Sequence, residues 1–132
     1  MKTNKLLLIA TVMLAALLFS SPNSFAQVID DGEEIDVTMN NSGPNQSGNR
    51  LPVVVPIRVT YYSQSTSVEV LFTSNLGDVT VVIENTDTAE YHSYLVDSSL
   101  GGDSFLISGD PGHYTITFTL ANGTEYIGEW EL

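Results

Sequence analysis

Residues 113–132 read HYTITFTLANGTEYIGEWEL, and this stretch decides the fold class. Tyr114, Ile116, Phe118 and Leu120 alternate with His113, Thr115, Thr117 and Thr119, the period of two that a half-buried β-strand requires. Tyr126, Gly128, Trp130 and Leu132 continue the apolar set after a break at Asn122 and Gly123. Asn followed by Gly between two alternating runs predicts a β-hairpin, with a type I′ turn because both residues tolerate positive φ. Asn122, Gly123 and Trp130 are therefore read as structural: a turn pair and a core anchor.

The same alternation extends upstream. Ile57, Val59 and Tyr61 alternate with Arg58, Thr60 and Tyr62; Val68, Val70 and Phe72 with Glu69 and Leu71; Val79, Val81 and Ile83 with Thr80, Val82 and Glu84. Tyr91 to Val96 and the pair Phe105 and Ile107 mark two more strands, separated by a loop over Ser98 to Ser104. Ile35, Val37 and Met39 read as one short first strand, led in by Asp30, Asp31, Glu33 and Glu34. Pro52 and Pro56 bracket Val53, Val54 and Val55, which points to an edge strand because proline cannot donate to a ladder. Residues 40–50 are almost all turn formers and read as a mobile loop. No window after residue 26 has a period of 3.6, so essentially no helix is expected.

About seven short strands at even spacing predict an all-β protein, an immunoglobulin-like antiparallel β-sandwich. A small oligonucleotide-binding-type barrel is the alternative. The sequence Asp110-Pro111-Gly112-His113-Tyr114 favours the sandwich. It sets a tyrosine at the start of the penultimate strand, where such folds hydrogen-bond a corner through the phenol, so Tyr114 is read as structural.

The N-terminus carries a different message. Lys2 and Lys5 precede an apolar run from Leu6 to Phe19, followed by Pro22, Ser24 and Ala26. This is the order of a cleavable signal peptide over residues 1–26, cut between Ala26 and Gln27. The run is shorter than the roughly 20 apolar residues of a membrane span, so no membrane insertion is expected after cleavage. The chain has no cysteine, which excludes a lipid-anchored lipoprotein and any disulfide. Residues 27–50 form an acidic first strand and flexible polar loop, and residues 51–132 the remainder of a single sandwich domain. An exported bacterial protein of the periplasm, secreted or held at the cell surface, is expected.

The chain holds 16 acidic residues against 4 Lys and Arg, a formal charge of −12. Cleavage would remove both lysines and leave Arg50 and Arg58, so the charge becomes 2 − 16 = −14. Nucleic-acid binding needs clustered cations and is excluded as a partner class; anionic membrane surfaces are disfavoured likewise.

Taken together, the acidic lead, Arg50 to Ile57, Gly77 to Glu84, Pro111 to Ile116 and the closing Gly128-Glu129-Trp130 resemble a family of small secreted Bacteroides-type proteins of unknown function. The resemblance implies an immunoglobulin-like sandwich and export, with no established activity and no functional residue to transfer. The final third also resembles the C-terminal sorting domains used for outer-membrane secretion in the same phylum. Those domains commonly end in a basic stretch behind a large passenger, whereas this sequence ends Glu-Trp-Glu-Leu, so a sorting-related domain is the lesser alternative.

No catalytic constellation stands out. His92 and His113 are the only histidines, and both are read as strand residues, His113 on the outward phase, rather than as catalytic bases. No cofactor is expected. Asp30, Asp31, Glu33, Glu34, Asp36 and the Asp97 to Asp110 region offer oxygen ligands for calcium, but EF-hand spacing is missing and a charge run is ordinarily a solvated face. Tyr62 with Tyr91 or Tyr94 could stack on a sugar, depending on which phase faces out. Asp87-Thr88-Ala89 matches the glycosylation pattern that the resemblance implies, making Thr88 a candidate acceptor. The expected function is a non-catalytic binding or structural module with a protein or glycan partner; the alternative is a soluble, lectin-like carbohydrate-binding protein.

Overall fold

The computed structural model describes residues 31–40 and 54–132. The signal peptide, the polar loop after residue 40, Arg50 and the Pro52-Val53 part of the edge reading lie outside the described residues. Among the described residues there are nine strands: β1 (Glu33–Ile35), β2 (Val37–Met39), β3 (Ile57–Tyr62), β4 (Ser67–Phe72), β5 (Asp78–Asn85), β6 (Tyr91–Asp97), β7 (Gly102–Leu106), β8 (His113–Leu120) and β9 (Glu125–Glu131). They form a four-stranded sheet, β1-β3-β4-β7, packed on a five-stranded sheet, β2-β9-β8-β5-β6, with every pairing antiparallel. The all-β sandwich read from the sequence is what is observed.

The alternating residues fill the space between the sheets. Val59, Val68, Val70, Val79, Val81, Ile83, Tyr114, Ile116 and Phe118 are all essentially inaccessible to solvent. Fully burying a side chain of this size contributes about 1.5–3 kcal/mol, and in a chain without disulfides this burial carries the stability. Phe72 meets Phe118 edge-to-face across the layers, with centroids 6.4 Å apart. Trp130 stacks on Tyr114 at 5.1 Å.

Four expectations are corrected. The first strand is two strands: β1 pairs with β3 through Ile35↔Val59, and β2 pairs with β9 through Val37↔Gly128. The segment changes sheets at Asp36, which supplies the ninth strand. Val54, Val55 and Pro56 are not in a strand; β3 starts at Ile57, after the proline that cannot donate. The loop read over Ser98 to Ser104 is a single 3₁₀ turn at Ser98–Leu100 followed by strand from Gly102, because the Asp97 carboxylate accepts from Ser99 N–H at 2.9 Å and turns the chain at once. Finally, the Asn122-Gly123 turn is not type I′. Gly123 N–H donates to Leu120 C=O and Leu120 N–H to Thr124 C=O, both at 2.9 Å, and Gly123 alone takes positive φ, at +85°. This is the three-residue loop of a type I turn closed by a glycine bulge. The Asn122 side chain accepts from Thr124 N–H at 2.9 Å instead of adopting the left-handed region.

Candidate functional site

One end of the sandwich gathers hydroxyl and ionisable side chains. The β5–β6 turn brings Asn85, Asp87, Thr88 and Glu90 against the β7–β8 connection, which carries Ser108 and Asp110. Tyr114, on β8, donates its hydroxyl to Asp110 C=O at 2.9 Å and approaches Glu90 Oε2 at 3.3 Å. Glu90 accepts from Ser108 N–H at 2.7 Å and from the Ser108 hydroxyl, and meets His92 Nε2 at 2.9 Å. Burial favours the neutral acid. The Ser108 hydroxyl and backbone N–H, then His92 and Tyr114, outweigh it and hold the Glu90 carboxyl below the usual glutamate range.

The order of groups matters chemically. The carboxylate stands between Ser108 and His92, so the imidazole bonds to Glu90 rather than to the serine oxygen. Nucleophilic activation needs the base on the nucleophile and the acid behind the base. The same corner is bonded into the main chain throughout. Asn85, 2% exposed, reaches the Asp110 and Pro111 carbonyls at 3.5 Å, and Asp87 Oδ2 accepts from His113 N–H at 2.8 Å. The cluster therefore ties β5, β6 and β8 together at the corner.

The remaining candidates are scattered. Tyr62 shares the outward phase of β3 with Arg58 and Thr60, lies half-buried on the outer face of the four-stranded sheet, and packs against Gly32. Tyr91 is exposed on the outer face of the five-stranded sheet. Tyr94 takes the inward phase and stacks on Phe105 at 4.5 Å, filling the gap between β6 and β7. Tyr62 and Tyr91 thus point away from each other on opposite faces, and the structure brings no two of the three tyrosines into one platform. Tyr91 borders a shallow depression of about 360 Å³ lined with Glu84, Thr86 and Thr88. Thr88 is exposed, its hydroxyl accepting from Glu90 N–H at 3.2 Å. His113 lies on the outward phase of β8, Nδ1 2.7 Å from Glu131 Oε1.

Among the described residues, no three His, Asp or Glu side chains converge as a metal cage. Asp97 is bonded to Ser99, which lowers its pKa, and Asp103 accepts from Ser104 N–H at 2.8 Å. Glu90 and Ser108 escaped the sequence reading. They lie 18 residues apart, and no local pattern connects a turn glutamate with a serine of the next connection.

The class this geometry defines is an immunoglobulin-like β-sandwich closed at one end by a tyrosine corner. The fold is similar to that of a DUF3244 family protein from Bacteroides vulgatus, described as having an immunoglobulin-like β-sandwich fold, with a TM-score of 0.56 at 12% identity over 76% of this chain and 98% of that one. No family model matches the sequence, and no curated protein matches it. Among the described residues no helix is long and apolar enough to cross a membrane.

Proposed function

We propose that this protein is an exported, non-catalytic binding or structural module of the bacterial periplasm or cell surface, engaging a protein partner through its loops and sheet edges. The observation that carries the reading is the saturation of Glu90. Its carboxylate takes up Ser108, Tyr114 and His92, so this assembled cluster serves the corner of the fold. What faces outward is side chains held on rigid strands, the arrangement by which sandwiches present loops and edges to partners. The likeness to a protein of a family of unknown function supports the fold beneath this reading and adds no activity.

Export rests on the leader sequence at residues 1–26. Protein recovered from the envelope of an expressing cell should begin at Gln27; an N-terminus at Met1 overturns the cleavage. Immobilised on resin, the same protein should retain a partner from envelope extract, and that retention should survive alanine at Tyr62, on the opposite face from Tyr91.

Carbohydrate binding is the second reading, and Tyr91 favours it: an exposed ring beside a depression lined with Glu84, Thr86 and Thr88. On a glycan array, Tyr91→Ala would then abolish sugar retention and Tyr62→Ala would leave it intact, because the two rings stand on opposite faces. Modification of Thr88 is a separate proposal, supported by its exposed place on the β5–β6 turn. An intact mass equal to that of residues 27–132 from native cells would refute it.

A further inference from the structure

The two flanks of the sandwich differ in how they end. On one flank a single segment passes from β1 to β2 and so belongs to both sheets; each piece is three residues long, and Glu33, Glu34 and Asp36 lie along it. On the other flank, among the described residues, β6 and β7 are the last strands of their sheets, seven and five residues long, and neither contains the proline or lysine with which open edges are ordinarily blunted.

The free backbone groups of β6 can be assigned. Asn85 N–H donates to Glu90 C=O and Ser98 N–H to Gly77 C=O, each at 3.1 Å, at the two ends of the β5–β6 ladder. By the alternation of an antiparallel pair, His92, Tyr94 and Val96 exchange hydrogen bonds with β5, while Tyr91, Ser93, Leu95 and Asp97 turn theirs outward.

Large apolar side chains surround this flank in the open. Tyr91 and Leu95, on the outer face of β6, are 58% and 74% exposed, and Leu100 in the following 3₁₀ turn 80%, whereas the exposed Leu71 and Leu106 stand on the outer face of the other sheet. The rim is acidic. Asp78 lies opposite Asp97 and Glu84 opposite Tyr91 on the same face, with Asp103 on the neighbouring β7. No Lys or Arg occurs on β4, β5, β6 or β7.

We infer that the open edge of β6 receives an extended strand from a partner protein, one that alternates apolar with hydroxylic side chains and carries lysine or arginine at its ends. The inference rests on the binding-module reading above and names its surface. The outward N–H and C=O groups of β6 supply the ladder, Tyr91 and Leu95 cover one face of the added strand, and the acidic rim attracts its ends. A second copy of this chain is the poorer occupant, because it brings a formal charge of −12 or beyond to an already acidic rim.

The test uses protein purified after expression of the full chain, titrated into a fluorescein-labelled peptide, Lys-Thr-Val-Thr-Val-Thr-Val-Thr-Lys, and into its counterpart with glutamate at both ends. The lysine-ended peptide should give saturable anisotropy, about tenfold tighter than the glutamate-ended one, a ratio equal to about 1.4 kcal/mol and within reach of two exposed charge pairs. Ser93→Pro removes an outward N–H without touching the β5 ladder and should abolish the binding. Leu95→Glu, which leaves the backbone alone, should weaken it if Ser93→Pro fails to fold. Equal binding by folded Ser93→Pro, or no saturation up to about 1 mM peptide, overturns the proposal. So does a dimer in sedimentation that Ser93→Pro disperses, which makes a second copy the occupant. Peptide binding that appears only in an Arg50→Gly variant overturns it too, assigning the edge to residues 50–53 of this chain. If Ser93→Pro still retains a partner from envelope extract, the binding-module reading stands and the β6 edge falls.

Discussion

Tyr114 sits where the side chains of one end converge, its ring in the core and its hydroxyl on the Asp110 carbonyl. Tyr114→Phe keeps the packing and removes the donor, leaving a buried acceptor short of a partner. The expected loss is about 1–2 kcal/mol in urea unfolding, seen as a lower midpoint with an unchanged slope. Glu90 gives the corner its pH dependence. Its folded pKa lies below its ordinary value of 4.5, so the unfolded chain takes up the proton first as the solution is acidified. The stability Glu90 contributes is complete above that ordinary value and is lost as pH falls through the lowered one. Glu90→Gln should flatten this part of the stability profile between neutral and acid pH; a profile identical to that of the parent chain would show that other carboxylates govern it. Tyr114 was legible because its motif lies within five consecutive residues. Glu90 and Ser108 were not, because only the folded sheets bring them together.

The elements show where alternation informs and where it is blind. Inward residues of β3, β4, β5 and β8 follow directly from the period of two. The break at Asp36 leaves no such trace. Ile35, Val37 and Met39 keep the apolar phase while their hydrogen-bonding partners change from β3 to β9. The turn type at Asn122 and Gly123 is hidden from the sequence for a related reason: the dipeptide serves two loop types, and only backbone angles separate them. Gly123→Ala tests the observed type. A methyl there meets nothing within 4 Å, so the cost is conformational alone, about 1–2 kcal/mol for a left-handed residue. Asn122→Gly should cost less than Gly123→Ala, since Asn122 lacks positive φ; the reverse order in thermal unfolding would restore the type I′ turn. Gly128 poses a different constraint, close approach. A Cβ there would lie 3.1 Å from both Ile35 Cγ2 and Ile116 Cγ2, where β9 passes beneath the sheet change. Gly128→Val should therefore destabilise by about 1–3 kcal/mol through overpacking.

At the scale of the whole molecule, charge and topology act together. A formal charge of −12 over 132 residues, rising to −14 if the leader is removed, favours dispersion in solution and opposes compaction. Added salt should raise the melting temperature between about 10 mM and 0.5 M, where the screening length falls from roughly 30 Å to a few Å; a flat response would show that the acidic groups are too far apart to repel. The pairing Val37↔Gly128 has a consequence in time. The second of the described strands to emerge from a ribosome finds its partner in the ninth, 128 − 37 = 91 residues later. Until β9 follows, the five-stranded sheet lacks its closing member and the core stands open on that side. Closure of that side is thus a late, non-local step for a chain that folds from its N-terminal end.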